Sequence, residues 1–89
     1  MSEIRYTEQF IEDVRSVQLA SKRQEIRRRI EQLSDFPDLG SSNLSESIVE
    51  QYGSCVRKLI VNPFIVVYEI DKHEDAVNIL GLIHQRAVW

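Results

Sequence analysis

The sequence predicts an α+β domain in the order β-α-α-β-β-β, with an N-terminal helix hairpin packed on one face of a small, mainly antiparallel sheet. Three apolar, β-branched runs lie between Cys55 and Trp89, and strands joined by two to five residues run antiparallel. The middle run, Phe64 to Ile70, is apolar at both odd and even positions, which is typical of a central strand covered on both faces. Upstream, residues 7–36 contain two apolar stripes with helical spacing, and the two helices that they predict can cover one face of this strand.

The N-terminal part of the chain predicts a strand and two helices. Residues 2–6 predict a short strand that joins an edge of the sheet. Thr7 can cap the first helix, and the capping-box spacing of Ser21 to Gln24 predicts where the second helix begins. Pro37 ends the second helix, because proline cannot donate a helical hydrogen bond. The two apolar stripes are Phe10, Ile11, Val14 and Val17, and then Ile26, Ile30, Leu33 and Phe36.

Residues 38–54 are rich in Ser, Gly, Asn and acids, with isolated apolar anchors. We interpret this segment as a long connecting loop with room for a helical turn, rather than as a disordered linker. The whole chain, residues 1–89, then forms a single domain, because a chain of this length has no room for a second core.

The amino-acid composition limits the classes of protein to which the chain can belong. With 43% hydrophobic and 28% charged residues the chain is typical of a globular protein, and no apolar run approaches the roughly 18 residues of a membrane span. The N-terminus lacks the hydrophobic region of a signal peptide, so we expect a cytoplasmic protein without a membrane partner. We interpret the single cysteine, Cys55, as a reduced thiol on a buried strand. The scattered histidines and cysteine match no metal-ligand spacing, and we expect neither metal nor cofactor.

The net charge of −3 conceals a segregation of charge along the chain. Residues 22–29 hold five basic residues and one acid, whereas residues 31–50 hold five acids and no basic residue. The run Arg27-Arg28-Arg29 is most simply a solvated helix face, with a nucleic-acid patch as the alternative. The pattern indicates either a charged partner or internal pairing, and the sequence leaves both open.

Polar residues inside the apolar strands are the candidates for chemistry. Arg57 and Lys58 lie on the first long strand, while His84 and Arg86 lie near the end of the last one. If Arg57, His84 and Arg86 converge at one end of the sheet, two guanidiniums and an imidazole can grip a phosphodiester and pass a proton. No carboxylate is clearly placed as the base that RNA cleavage also needs. Tyr68 is expected in the core, with its hydroxyl reaching the surface.

The C-terminal run VRKLIVNPFIVVYEID, followed by AVNILGLIHQRAVW, resembles the RelE/ParE superfamily of bacterial toxins from type II toxin–antitoxin (plasmid stabilisation) modules. In that family an arginine-bearing strand leads through a turn to an aromatic-aliphatic strand, and the last strand ends in histidine followed by arginine. The matching residues here are Arg57, Pro63-Phe64, Tyr68 to Ile70, Ile79 to His84, and Arg86. The helix pair and the break at residues 36–40 are also similar to the family, so the resemblance covers nearly the whole chain.

Two motifs are more similar to the ParE branch, whose members inhibit DNA gyrase, than to the RelE branch. They are the PFIVVY turn and the ending His84-x-Arg86-x-x-Trp89. RelE-like members instead cleave messenger RNA on the ribosome, typically with several Lys and Arg on the sheet and a C-terminal Tyr. Trp89 stands near the position of that Tyr and has no ionisable hydroxyl. The acidic balance also disfavours a ribosome binder, because cationic contacts dominate affinity for phosphates.

The resemblance implies a ParE-like toxin that acts on a protein target, with DNA gyrase as the first candidate, and that a cognate antitoxin neutralises. It also implies that an antitoxin segment lies across the helix pair and the sheet, and that the toxin meets DNA only through the antitoxin. The residues expected at antitoxin or target contacts are Arg23, Arg27, Arg28, Lys58 and Trp89. One alternative is a ribosome-dependent endoribonuclease that uses Arg57, His84 and Arg86 on messenger RNA. The other is a non-toxic family member kept as a binding scaffold.

Overall fold

The structure, a computed structural model, describes residues 1–87 and contains one four-stranded sheet covered by helices. The helices are α1 (Glu8–Arg15), α2 (Ala20–Glu31) and α3 (Glu46–Tyr52), and the strands are β1 (Glu3–Tyr6), β2 (Arg57–Val61), β3 (Phe64–Asp71) and β4 (Ala76–His84). The strand order is β1-β4-β3-β2, with β1 parallel to β4 and the other pairs antiparallel. The predicted fold class and the edge position of the first strand are confirmed.

The first helix begins where the sequence predicted, with Thr7 as its cap. The Thr7 Oγ1 accepts a hydrogen bond from the Phe10 N–H at 3.2 Å, which satisfies one of the unpaired donors at the helix start. The same hydroxyl donates to the Ile79 carbonyl at 2.8 Å. One side chain therefore both starts α1 and ties it to β4.

The second helix begins differently from the prediction. The expected capping box at Ser21 is wrong, because the N-cap of α2 is Leu19, two residues earlier, and it provides no side-chain cap. The Leu19 carbonyl accepts the first backbone hydrogen bonds of the helix, from Lys22 and Arg23. Ser21 therefore lies inside the first turn and cannot serve as the cap.

The main core lies between the helix hairpin, formed by α1 and α2, and the sheet. Val66 and Tyr68 of β3 face the hairpin, whereas Ile65 and Val67 face the opposite side. The two-sided burial predicted for the central strand is confirmed. The buried members of the hairpin-side cluster are Phe10, Val17, Ile26, Ile30, Leu33, Leu59, Val61, Val66, Tyr68, Val77, Ile79 and Leu82.

The opposite face of the sheet is covered by α3, which the sequence did not reveal as a helix. Our prediction of a connecting loop over residues 38–54 is therefore incomplete. Ser45 caps α3 by accepting from the Ile48 N–H at 3.4 Å, and Ile48 and Tyr52 pack against the sheet. The four-residue spacing of Leu44, Ile48 and Tyr52 is the signal that the sequence offered. Seven residues give only about two helical turns, which is too short for a distinct period.

A β-bulge in β4 changes which face its C-terminal residues occupy. The register of β3 against β4 shifts between Val67 and Tyr68, which makes Leu80 an extra residue in β4. Strict alternation predicts a single face for Leu80, Leu82 and His84, and that prediction is wrong. Leu82 packs beneath the hairpin, whereas Leu80 packs on the α3 side. His84 therefore lies on the hairpin side of the sheet.

Several side chains that the sequence placed in the interior are exposed, among them Ile11, Phe36 and Cys55. Cys55 lies in a bend before β2 and is exposed, rather than buried on a strand. Phe36, expected to close the apolar stripe of α2, is 65% exposed. The reason is that α2 ends at Glu31 and the 3-10 turn Gln32–Ser34 breaks the helical period before Phe36.

We expect Gly81→Ala to destabilise the fold, because a Cβ at this position would overlap the Tyr52 Oη of α3. Shifting α3 to make room should lower the free energy of unfolding by about 1–3 kcal/mol. Urea unfolding followed by circular dichroism measures this change. In a Tyr52→Ala background the same glycine substitution should cost much less, and equal costs in both backgrounds would contradict this packing.

Candidate functional site

Arg57, the sequence-predicted arginine of β2, holds a loop of the protein itself. Its Nη2 donates to the Gly40 carbonyl at 2.6 Å and to the Asp38 carbonyl at 3.2 Å. The side chain is half-buried on the hairpin side of the sheet, where its β3 partner is Tyr68. The guanidinium therefore has fewer donors available for a ligand than an exposed arginine would have.

Tyr68 holds the same loop from beneath. Its side chain is fully buried, and its Oη donates to the Pro37 carbonyl at 2.7 Å and accepts from the Gly40 N–H at 2.9 Å. The expected surface position of this hydroxyl is therefore wrong. Ser41 completes the attachment through two backbone hydrogen bonds with Lys58, at 2.8 and 2.9 Å.

Residues 37–41, which we call the clamped loop, approach the sheet so closely that only glycine fits at position 40. A Cβ on Gly40 would lie 2.5 Å from the Lys58 carbonyl oxygen and 2.6 Å from the Tyr68 Oη. Lys58, expected at a partner contact, is half-buried, and its backbone contributes to this attachment. The polar groups of β2 and β3 in this region are therefore used to fix the loop.

His84 and Arg86 lie together at the end of the sheet where β3 begins. The His84 ring contacts Phe64 edge-on, with ring centroids 5.4 Å apart and planes at 77°. Its Nδ1 accepts a hydrogen bond from the Arg86 N–H at 3.1 Å, so Nε2 is the nitrogen that can meet a partner. Arg86 is exposed in the 3-10 turn Gln85–Ala87. These two side chains form a candidate contact for another macromolecule.

The expected convergence of Arg57, His84 and Arg86 is wrong for Arg57. Arg57 pairs with Tyr68, whereas His84 pairs with Phe64, four residues earlier on β3. At about 3.3 Å per residue the offset is about 13 Å along the strands, and two strand spacings of about 4.8 Å add to it. Since Arg57 is also tied to the clamped loop, the three groups do not form one phosphate site.

Asp13 of α1 is a carboxylate near the His84 end of β4 that sequence reasoning missed. Its Oδ2 accepts from the Leu82 N–H at 3.0 Å, and its Oδ1 accepts from the Gln9 Nε2 at 2.8 Å. Because β1 pairs with β4 only as far as Ile79, Asp13 satisfies part of the strand edge that β1 leaves open. Both oxygens are engaged, so the carboxylate serves the fold rather than acting as a general base. An acid inside a helix carries no sequence signal for this role.

A groove of about 330 Å³, which we call the hairpin groove, lies along α1 and α2. Its lining residues are Tyr6, Phe10, Val14, Arg23, Ile26, Arg27, Ile30 and Glu31. Burial raises the pKa of Tyr6 above its ordinary value, and the Glu31 carboxylate adds to this rise, whereas Arg27 opposes it. An apolar recess with a few charged groups suits an amphipathic peptide segment.

The three arginines of α2 expected at partner contacts are not equivalent. Arg23 donates through Nη1 to two carbonyls of the α1–α2 connection, one of them at 3.2 Å, so it partly serves that connection. Arg27 is exposed, and its Nε donates to Glu31 at 3.1 Å. Arg28 is also exposed. An exposed ion pair contributes little stability, so Arg27 can exchange Glu31 for an acid on a partner.

Trp89, the remaining residue expected at a partner contact, lies outside the described residues. Within residues 1–87, no three His, Cys, Asp or Glu side chains come together as possible metal ligands. In the same part of the chain, no helix combines the length and apolar character needed to cross a membrane.

The architecture is that of the RelE-type toxins. The chain is similar to the crystal structure of the toxin–antitoxin complex RelBE2 from Mycobacterium tuberculosis, with a TM-score of 0.76 and 18% identity over 93% of this chain and 96% of that one. It is similar to the isolated E. coli RelE toxin, with a TM-score of 0.71 and 9% identity over 94% and 84%. For the RelB–RelE complex from Methanococcus jannaschii the TM-score is 0.61, with 15% identity over 93% and 92%. These likenesses establish the fold.

The family follows from a match of residues 4–89 to the model described as "ParE toxin of type II toxin-antitoxin system, parDE". The chain therefore belongs to the ParE toxin family, within the RelE/ParE superfamily of type II toxin–antitoxin toxins. No curated protein sequence matches it.

We expect Tyr68→Phe to lower the free energy of unfolding by about 1–3 kcal/mol, because it removes the buried partner of the Gly40 N–H and the Pro37 carbonyl. Urea unfolding measures the change. Tyr52→Phe is the matched control, since that hydroxyl belongs to a half-buried side chain and meets Gln51 at 3.4 Å. The control should cost less than about 1 kcal/mol. Equal costs for the two variants would show that Tyr68 does not hold the loop.

Proposed function

We propose that this chain arrests bacterial growth by binding a protein target, with DNA gyrase as the first candidate, and that a cognate antitoxin neutralises it. The observation that carries the proposal is the engagement of Arg57, whose guanidinium holds the clamped loop. Arg57 is offset from His84 by about 13 Å along the strand direction. A family member whose acid–base groups are not assembled is expected to act by binding rather than by cleavage.

The chemistry of RNA cleavage argues in the same direction. Attack by a 2′-hydroxyl needs a base, an acid and cationic stabilisation of the phosphorane. His84 and Arg86 can supply a proton carrier and a cation. Arg57 and Asp13, the further cation and the carboxylate, are both engaged in holding the fold. Among the described residues, a proton carrier and one cation are therefore available for cleavage, whereas the further cation and the carboxylate are not.

The charge distribution also supports a protein target. The chain carries a net charge of −3, and residues 31–50 contain five acids without a basic residue. Affinity for RNA depends on cationic contacts that release counterions from phosphates. An acid-rich surface disfavours such an approach to the ribosome.

The hairpin groove is the proposed binding site of the antitoxin. An amphipathic segment can place apolar side chains against Val14 and Ile26 and an acid beside Arg27, in place of Glu31. Similar folds were solved as toxin–antitoxin complexes, which supports a partner of this kind. We propose that this complex forms in the cytoplasm, and that the toxin meets DNA only through the antitoxin.

Ribosome-dependent cleavage of messenger RNA is the second candidate. It is favoured by the adjacency of His84 and Arg86, which leaves the imidazole Nε2 able to meet a substrate. A non-toxic scaffold is the third possibility, and one induction experiment separates all three.

Induction of the chain in a bacterium that lacks the antitoxin should cause growth arrest with filamentation and DNA-damage signalling, because an inhibited gyrase interferes with chromosome maintenance. The purified chain should also inhibit supercoiling by DNA gyrase. Microscopy, a damage-response reporter and the supercoiling assay measure these effects. Rapid loss of translated messages, abolished by His84→Ala or Arg86→Ala, would instead establish the ribonuclease. Undisturbed growth would establish the scaffold.

We expect Arg27→Glu to weaken antitoxin binding about tenfold or more, which corresponds to about 1.4 kcal/mol, because it reverses a charge at the hairpin groove. Calorimetric titration with the purified cognate antitoxin measures the affinity. Arg15→Glu is the matched control, since Arg15 is exposed on α1 and does not line the groove. Equal losses for the two variants would place the antitoxin elsewhere.

A further inference from the structure

We infer that the clamped loop and the residue before it form the surface that meets the target, with Phe36 and Leu39 as apolar anchors. The complementary surface is a protein with an apolar pocket rimmed by basic side chains. This inference rests on the proposed function and adds the part of the toxin that the target recognises.

The two anchor side chains are exposed and are separated in the chain by Pro37 and Asp38. Phe36 is 65% exposed and Leu39 is 44% exposed, on either side of a short turn at Pro37–Leu39. Together with Asp35 and Asp38 they border a shallow recess on the surface. An aromatic side chain brings a large apolar contact area, and such residues dominate the affinity of many protein interfaces.

The fold holds this exposed segment rigid. Six hydrogen bonds fix the clamped loop, two each from the Tyr68 hydroxyl, the Arg57 guanidinium and the Ser41–Lys58 backbone pair. A loop that is already ordered loses little conformational entropy when it binds. Exposed apolar groups on a fixed loop can therefore contribute most of their burial energy to affinity.

The charge of the segment around Phe36 indicates which kind of partner it can bind. Asp35 and Asp38 are both exposed at the recess beside Phe36, whose lining residues include no basic side chain. Arg57 and Lys72 line a separate recess that Asp38 also borders. Carboxylates at this position repel nucleic-acid phosphates and favour a protein surface with Lys or Arg around an apolar pocket. The recess beside Phe36 shares no lining residue with the hairpin groove, so the target and the antitoxin can use different surfaces.

Phe36→Ala tests the inference, with Leu19→Ala as the matched control because Leu19 is 68% exposed elsewhere on the surface. Each variant is induced in a bacterium without the antitoxin, and the surviving colonies are counted. Survival with Phe36→Ala should rise at least tenfold above that with the wild type, whereas Leu19→Ala should match the wild type. Circular dichroism and urea unfolding verify that both variants fold, as expected for substitutions of exposed side chains.

Arg57→Met tests whether the loop must be held. This variant removes two of the loop's hydrogen bonds and leaves Phe36 in place, so we expect a partial rise in survival. Because Arg57 acts through the loop, the double variant Phe36→Ala/Arg57→Met should survive no better than Phe36→Ala alone. Full additivity of the two effects would contradict a positioning role for Arg57.

The outcomes distinguish this inference from the function on which it rests. Arrest by Phe36→Ala at the wild-type level would overturn the inference and leave the proposed function standing. If Phe36→Ala still arrests growth but the co-expressed antitoxin no longer relieves the arrest, the inference is also overturned. The loop would then bind the antitoxin and not the target. A wild type that fails to arrest growth would refute both.

Discussion

The burial of β3 on both of its faces is the constraint on which the rest of the structure depends. Residues 64–68 of β3 form an unbroken apolar run that cannot leave either face in water, so the chain must supply a cover for each side. The helix hairpin covers one face and α3 covers the other. The helices that form these covers are α1 with 8 residues, α2 with 12 and α3 with 7.

That constraint determines what the polar groups of the sheet can do. Tyr68 lies in the covered part of β3, so its hydroxyl needs a buried partner, and the clamped loop provides one. Arg57, its neighbour on β2, is held by the same loop, while Asp13 satisfies the edge of β4 beyond β1. Groups that could act in catalysis in a more open sheet thus stabilise this one. For this reason the family assignment alone does not imply an active ribonuclease.

The sequence predicted the features that depend on repeated local patterns. The order of the four strands and of the two N-terminal helices, the cap at Thr7 and the two-sided burial of β3 were predicted, because periodicity and capping act over a few residues. The bulge at Leu80 was not, because a single extra residue leaves alternation intact on either side and only pairing reveals it. The attachment of Arg57 to the loop was also missed. It joins residues that are 17 apart in the chain, and no local pattern encodes such a contact.

From the sequence alone, the segregation of charge could mean either a charged partner or internal pairing. Two partners of opposite charge would explain it. Arg23 and Arg27 of α2 line the hairpin groove, where we place an antitoxin that carries acids, and Asp35 and Asp38 border the recess at the loop that we assign to the target. The two surfaces follow one another in the chain, because Phe36 lies five residues after the end of α2. An antitoxin in the groove can therefore block the target by its bulk beside the loop, without contacting Phe36. Neutralisation then requires no change in the shape of the toxin, which is consistent with a loop fixed by six hydrogen bonds.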